Sequence, residues 1–517
     1  MYQIPPRFLA TIAIACALLF TLVACSDGND SMVTTMLGIP GTATDPAPPA
    51  ELSGPLDGEP ILVSSFFPLA SVGYEQAEFF ASGTASSYIN VNELQPDGRW
   101  EVQVDQTADY RTRLVVIRPS DPADFNGTVV VEWLNVSAGF DAAPDWGMLH
   151  TEFIRSGYAW VGLSAQQAGV EALLDGSAAA VIPGAISDDR YTTLSHPGDE
   201  FAYDILSQVG QALKGAGPAN PFGSLSPQRF IAAGESQSAA ALMTYINALA
   251  PRHAVFDGYF VHSRVAGSLP LKGDIFTPDQ AVVPTPDQVQ VRADLGVPTM
   301  MLQTETDLFI LGSYDSNQED SDMFRMWEVA GSAHADLYTF LDNRVDVGTD
   351  PSVAAIREVI APIPGIIECE VPVNAGPQHW VAKAAIVALN RWVEEGTPPP
   401  TAERLDVAGS PPAFVVDELG NVRGGVRTPY VDVPIAVLSG EGQPQIPFDT
   451  EDRDFCFLSG TTELFDVATL ASLYESNQAY ISALNASADD SVAKGFLLEA
   501  DAQLIKDHAA SSDIFAP

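Results

Sequence analysis

Residues 59–400 predict an α/β fold, with a mostly parallel central sheet flanked by helices, insertions between them, and a C-terminal extension over 401–517. Three observations predict it. Short apolar runs alternate with amphipathic stretches, and parallel strands need crossovers of that kind. Several runs are apolar almost throughout, as in strands covered on both faces. One run ends in a G-x-S-x-small pattern directly before an alanine-rich helical stretch.

The N-terminus stands apart from this fold. Arg7 precedes the apolar run "FLATIAIACALLFTLVAC" (8–25), the layout of an export signal. Its end, Leu22-Val23-Ala24-Cys25, resembles a bacterial lipobox, so residues 1–24 are expected to be a lipoprotein signal peptide and Cys25 the lipidated residue. Ser26 after the cysteine implies, by the same resemblance, an outer-membrane destination in a Gram-negative cell. An uncleaved membrane helix is the alternative, because the run approaches spanning length. Residues 25–58, rich in Gly, Pro, Ala, Thr and Asp, read as a flexible tether. The expected location is therefore the cell envelope, with membrane contact through the lipid anchor only.

Strand candidates follow at "YRTRLVVIRP" (110–119), "GTVVVEWLN" (127–135), "YAWVGLSA" (158–165), "QRFIAAGES" (228–236), "HAVFDGYFVHS" (253–263), "VPTMMLQTE" (297–305) and "RMWEVAG" (325–331). Helix candidates lie at 145–157, 198–215, 236–250 and 379–396, the last stopping at Gly396 before three prolines. The tail adds an amphipathic stretch at 466–488. Glu132 within a buried-looking strand needs a partner, and Arg118 or Arg264 are the candidates. Arg423 and Arg427 read as salt-bridge partners of an acidic surface.

A formal net charge of −43 repels phosphate backbones, so nucleic acid is excluded as a partner. The chain has four cysteines. Cys16 lies in the signal and Cys25 is the anchor, leaving Cys369 and Cys456 to pair in an oxidising compartment or to remain as two buried thiols. No cysteine spacing resembles a zinc site.

The chemistry centres on Ser236. A strand, G-x-S-x-small and a helix together describe a nucleophile elbow, in which a strained backbone presents the hydroxyl. Gly234 and Ser238 are small, as the convergence of strand and helix requires. In this arrangement an acid and then a histidine follow the serine along the chain. His334, His379 and His508 come after Ser236 with room for an acid, whereas His150, His196, His253 and His262 do not fit that order. His334 lies three residues past Gly331 at a strand end and is the expected base, with His379 as runner-up. Asp307, in the turn after a strand, is the expected acid, with Glu305 as runner-up. Two backbone N–H groups should form an oxyanion hole, one from Gln237 and one from Leu134, Asn135 or Val136. Pocket walls are expected from 166–197, 265–296 and 311–322.

The stretches "FNGTVVVEWLNVS", "AAGESQSA", "QTETD", "WEVAGSAHAD", "RWVEEGTPPP" and "GNVRGGVRTPYVDVP" carry a resemblance to the alpha/beta-hydrolase superfamily. More narrowly, the chain resembles the bacterial "alpha/beta hydrolase domain" proteins over most of its length. The resemblance implies Ser-His-acid chemistry with no metal and no cofactor. It implies no particular substrate, because one fold hosts many reactions. A small-molecule ester is the expected substrate. The same triad would serve an amidase, peptidase or acyltransferase, and a catalytically silent binding lipoprotein is the alternative from another class. Oligomeric state is not legible in the sequence.

Overall fold

In the computed structural model, the described residues are 45–515 apart from 63–64, 183–188, 216, 274–281, 365 and 445–454. The expected signal peptide (1–24), Cys25 and the first part of the tether lie outside them. Among the described residues no helix is long and apolar enough to cross a membrane.

Nine strands build the main sheet: β1 (Glu51–Ser53), β2 (Tyr74–Asn90), β3 (Val102–Pro119), β4 (Thr128–Trp133), β5 (Ala159–Leu163), β6 (Arg229–Glu235), β7 (Gly258–His262), β8 (Thr299–Thr304) and β9 (Phe324–Val329). Their order is β1-β2-β3-β5-β4-β6-β7-β8-β9. From β5 to β9 every pairing is parallel, while β1, β2 and β3 join antiparallel at one edge. The long β2–β3 hairpin is the part that composition did not announce.

Alternation along the strands divides the core. Val129 and Val131 of β4 pack on one side with Leu206, Val209 and Leu242, from helices Ala202–Lys214 and Gln237–Thr244. Val130 points to the other side, against Leu149 and Ile386 of helices Pro144–Ser156 and Gln378–Glu395. All six residues of β4 are buried. Full burial of each such valine is worth about 1.5–3 kcal/mol, so the apolar run selects the sheet centre. Helix Pro144–Ser156 ends at Gly157, with φ of 72°. A Cβ there would sit 1.8 Å from the Asp124 carbonyl oxygen, so only glycine fits the turn.

Three expectations need correction. The tether ends before residue 58. Ala47 and Ala50 are buried, β1 pairs with β2, and the Ala50 N–H donates to the Gln208 carbonyl. Sheet pairing uses backbone groups, so a Gly/Pro/Ala-rich composition does not prevent it. Glu132 is not paired with an arginine. It accepts from the Asp145 and Trp146 N–H groups at 3.0 and 2.8 Å and from the Trp160 indole at 2.8 Å. The open N–H groups at the start of helix Pro144–Ser156 replace a cation. Arg118 instead pairs with Glu75, and buried Arg264 donates to the Val289 and Ser316 carbonyls. Finally, the stretch expected to be helical over 466–488 is broken into Val467–Leu473 and Asn477–Lys494. Ser476 caps the second piece by accepting the Ala479 N–H, which starts a new helix.

Thr42–Pro517 form one compact unit, so the extension after 400 belongs to the same body. Cys369 and Cys456 form a disulfide with Cα atoms 5.4 Å apart. Arg427 pairs with Asp432 at 2.6 Å. The last helix, Glu499–Ser511, is locked down by buried Asp501, which takes Arg155 at 3.0 Å and Lys383 at 3.4 Å. Burial lowers the Lys383 ammonium from its ordinary range, although Asp501 and Asp346 pull it back up.

Replacing Asp501 by alanine strands a buried lysine. The expected loss is about 3–5 kcal/mol of stability, read as a lower urea midpoint. Combining it with Lys383→Met should recover much of that loss, because the unpaired charge is then gone.

Candidate active site

Strand β6 ends at Glu235, and Ser236 turns the chain with φ 58° and ψ −117° before helix Gln237–Thr244 begins. A positive φ is costly for a residue with a Cβ. Close packing holds it: a Cβ on Gly234 would approach the Ser238 carbonyl oxygen to 2.8 Å. The Ser236 N–H donates to the His262 carbonyl on β7 at 2.9 Å. The bend is thus held from strand, helix and neighbouring strand, and the serine side chain emerges at the carboxyl ends of the parallel strands.

The loop after β9 delivers His334 to the same place. Its Nε2 lies 2.8 Å from Ser236 Oγ and its Nδ1 lies 2.6 Å from Asp307 Oδ1. A carboxylate oxygen only accepts, so the contact to Asp307 Oδ1 puts the proton on Nδ1 and leaves Nε2 free to accept the serine hydroxyl. The His334 N–H donates to Thr306 Oγ1 at 3.2 Å, fixing the loop over the β8 turn. Asp307 sits in the first turn of the short helix Glu305–Phe309, and its Oδ2 accepts the Thr304 N–H at 2.6 Å. One carboxylate oxygen is therefore tied to the backbone and the other faces the imidazole.

Glu305, the alternative acid, does not reach His334. It accepts the Gly331 and Gly440 N–H groups at 2.6 and 2.8 Å. Burial pushes its carboxyl up to about 8. The two acids separate because the chain is already helical there, and residues two apart on a helix do not share a face. His379, the alternative base, stacks on Tyr338 with ring centroids 3.7 Å apart inside helix Gln378–Glu395. Burial drives its imidazole well below the ordinary range. His508 lies on the last helix, beside Ser512.

The oxyanion donors divide. Gln237 is the first residue of its helix, so its N–H has no acceptor within that helix. The Val136 N–H donates to the Gln237 side-chain Oε1 at 3.5 Å, a long bond next to the same turn that an oxyanion can displace, unlike the backbone pairings of its neighbours. Asn135 must be withdrawn as a backbone donor: its N–H is spent on the Ala142 carbonyl at 2.9 Å in a β-bridge. The Leu134 N–H is likewise used, by the Leu163 carbonyl. Of the expected pocket walls, Gln166 arrives here, accepting from Gln237 Nε2 at 2.8 Å and Trp133 Nε1 at 3.0 Å.

The family profile for the alpha/beta hydrolase domain matches residues 39–507. The chain belongs to this family. No curated protein matches it. Among solved structures, the chain is similar to a fungal esterase from Rhizomucor miehei at 11% identity and TM-score 0.26, over 51% of this chain and 78% of that one. It is also similar to a glucuronoyl esterase from Teredinibacter turnerae, at 11% identity and TM-score 0.26, over 51% and 63% of the two chains. An alpha-beta serine hydrolase homologue from Coxiella burnetii aligns at 14% identity and TM-score 0.25, over 44% and 84%.

The fold also brings charged groups together beside this site that the sequence did not connect with it. Glu235 Oε1 lies 3.3 Å from His334 Nε2. Below, His262 Nδ1 meets Asp145 Oδ1 at 2.8 Å, with both side chains fully buried. Burial opposes charge on His262, but its hydrogen bond to Asp145 and the nearby carboxylates outweigh that and raise the imidazole. Gln378 Nε2 bridges this layer to the site, 3.3 Å from Ser263 Oγ and 3.4 Å from the His334 carbonyl. Glu235 stood inside the quoted "AAGES" motif. Only the side-chain direction at a strained turn marks it, and a sequence pattern does not carry that.

The packing at Gly234 gives a direct test. Gly234→Val should destabilise the fold by about 1–3 kcal/mol and abolish reaction of Ser236 with a fluorophosphonate. Thermal melts and intact-mass labelling read the two effects separately.

Proposed function

We propose that this chain is a serine hydrolase that cleaves a small-molecule carboxylic ester through an acyl-enzyme, without metal or cofactor. The observation that carries the proposal is the continuous line Asp307 Oδ1–His334 Nδ1 and His334 Nε2–Ser236 Oγ, at 2.6 and 2.8 Å, ending on a hydroxyl held at positive φ. Ser236 Oγ attacks the ester carbonyl carbon while its proton passes to His334 Nε2. The carbonyl π pair moves onto oxygen, and that oxyanion is met by the N–H groups of Gln237 and Val136. Collapse of the tetrahedral intermediate expels the alcohol oxygen, which takes the proton from Nε2. A water then repeats both steps on the acyl-serine, releasing the acid and restoring Ser236. Asp307 keeps the Nδ1 proton in place and stabilises the imidazolium. Ester is favoured over amide because an alcohol oxygen leaves the tetrahedral intermediate more readily than an amide nitrogen does.

The same proposal includes export, with Cys25 as the lipidated residue that ties the domain to the envelope membrane. Cys25→Ser should yield an unacylated, membrane-free product in the native host. Persistent membrane association would rule that anchor out.

Ser236→Ala and His334→Ala should each lower kcat/KM for a chromogenic ester by roughly 10³-fold or more, with the fold intact by circular dichroism. A fluorophosphonate should add its mass at Ser236 and at no other residue. Wild-type turnover in Ser236→Ala would end the assignment. His379→Ala, by contrast, should act on stability, since that ring packs against Tyr338 and Trp380.

A further inference from the structure

His334 is contacted by a carboxylate on each side. Asp307 takes Nδ1 at 2.6 Å, whereas Glu235 Oε1 stands 3.3 Å from Nε2, the nitrogen that also faces Ser236 Oγ at 2.8 Å. Nε2 has a single site for a lone pair or a proton. While it is neutral and accepts the serine hydroxyl, an ionised Glu235 faces a lone pair and gains nothing. After Ser236 has given up its proton, Nε2 carries N–H and positive charge, and the same carboxylate becomes a favourable partner. The contact strengthens as the reaction proceeds, and only contacts of that kind lower the barrier.

The surroundings hold Glu235 in this role. Its side chain is buried beside the bend, and the Asn135 carboxamide donates to the Glu235 carbonyl at 3.1 Å and to Oε2 at 3.4 Å. Oε2 is thereby occupied and Oε1 left to the ring. The titratable groups that face Glu235 are His334 and His262, which favour its charge, and Asp145 and Asp307, which oppose it. Burial pushes its carboxyl up to about 7. Burial also opposes charge on His334, but Glu235 and then Asp307 outweigh it and raise the imidazole above its ordinary value.

We propose that Glu235 is a positioning residue for the base, holding the Nε2 side of His334 and stabilising the imidazolium, so that one imidazole works between two carboxylates. This rests on the esterase proposal above. The test is the pH profile of p-nitrophenyl acetate hydrolysis, comparing wild type with Glu235→Gln between about pH 5 and pH 10. Removing the negative charge lowers the imidazole pKa. The acid limb of kcat/KM should therefore move down by about one pH unit, and plateau kcat should fall roughly tenfold with KM little changed. A purely structural role would lower the plateau and leave the limb where it is, and that result overturns the proposal. If the Glu235→Gln protein does not fold, Glu235→Asp, which withdraws the carboxylate by one methylene, should give a smaller shift in the same direction; a wild-type profile there overturns it equally. Fluorophosphonate labelling of the wild type separates the two levels. A wild type that neither labels at Ser236 nor hydrolyses the ester overturns both proposals, while labelling with an unmoved limb in the variant overturns this one alone.

Discussion

Ser236 holds φ at 58° although it carries a side chain, and a residue held in such a region costs of order 1–3 kcal/mol. The rest of the molecule meets that cost. Gly234 lets the strand and the helix close to contact, the helix is lined with alanines, and β7 takes the Ser236 N–H. Ser263, at the end of β7, also has positive φ, at 53°. Two neighbouring parallel strands thus end in sharp bends, and the hydroxyl at the first of them meets the imidazole. A relaxed turn at 236 would carry the side chain off the line of His334 and Asp307.

Beneath this bend the interior holds several ionisable groups. Glu132, Asp145, His262, Glu235, His334 and Asp307 are all buried. Buried charge is tolerated only with partners, and most of these side chains have one. Glu132 uses helix N–H groups and an indole, Asp145 and His262 take each other, and Asp307 has the Thr304 N–H together with His334. Burial and the neighbouring Asp145 raise the Glu132 carboxyl well above its ordinary value. The acidic residues of the chain are therefore not all on its surface: a buried subset, Asp145, Glu235 and Asp307, lies directly against the imidazoles of His262 and His334.

The segments after 370 also hold the loop that carries the base. The loop carrying His334 is held at Gly331 by Glu305, at Ala335 by the Leu458 carbonyl and at Leu337 by the Asn374 carbonyl. Asn374 in turn donates to the Gly331 carbonyl and accepts the Gly376 N–H, while its own N–H goes to the Ser459 carbonyl. The Cys369–Cys456 disulfide ties together the two segments from which these contacts come. Gly440 closes the arrangement from the small sheet Ala436–Ser439 and Thr461–Leu464, donating to Glu305 and accepting from Thr306. The extension is thus part of what aims His334.

Much of this was legible along the chain because it depends on local pattern. Strand runs such as "GTVVVEWLN" announce burial on both faces, and "AAGESQSAAA" announces the bend through its small residues. The loop position of His334 and the turn position of Asp307 follow from strand ends, which alternating apolar runs mark. What stayed hidden depends on contacts between distant segments. Asp307 and Glu305 are two residues apart with the same chemistry, and only the start of a helix at 305 turns one to the imidazole and the other to Gly331 and Gly440. Asn135 looked like an oxyanion donor until its N–H paired with Ala142 across a short bridge. Glu132 found its partners in a helix terminus that no spacing rule connects to it. The sequence by itself determined the alternation, the bend and the residue types that can do the chemistry. The tertiary structure alone decided which carboxylate, which N–H and which carbonyl meet, because hydrogen bonds are settled over a few ångströms between residues as far as 346 positions apart.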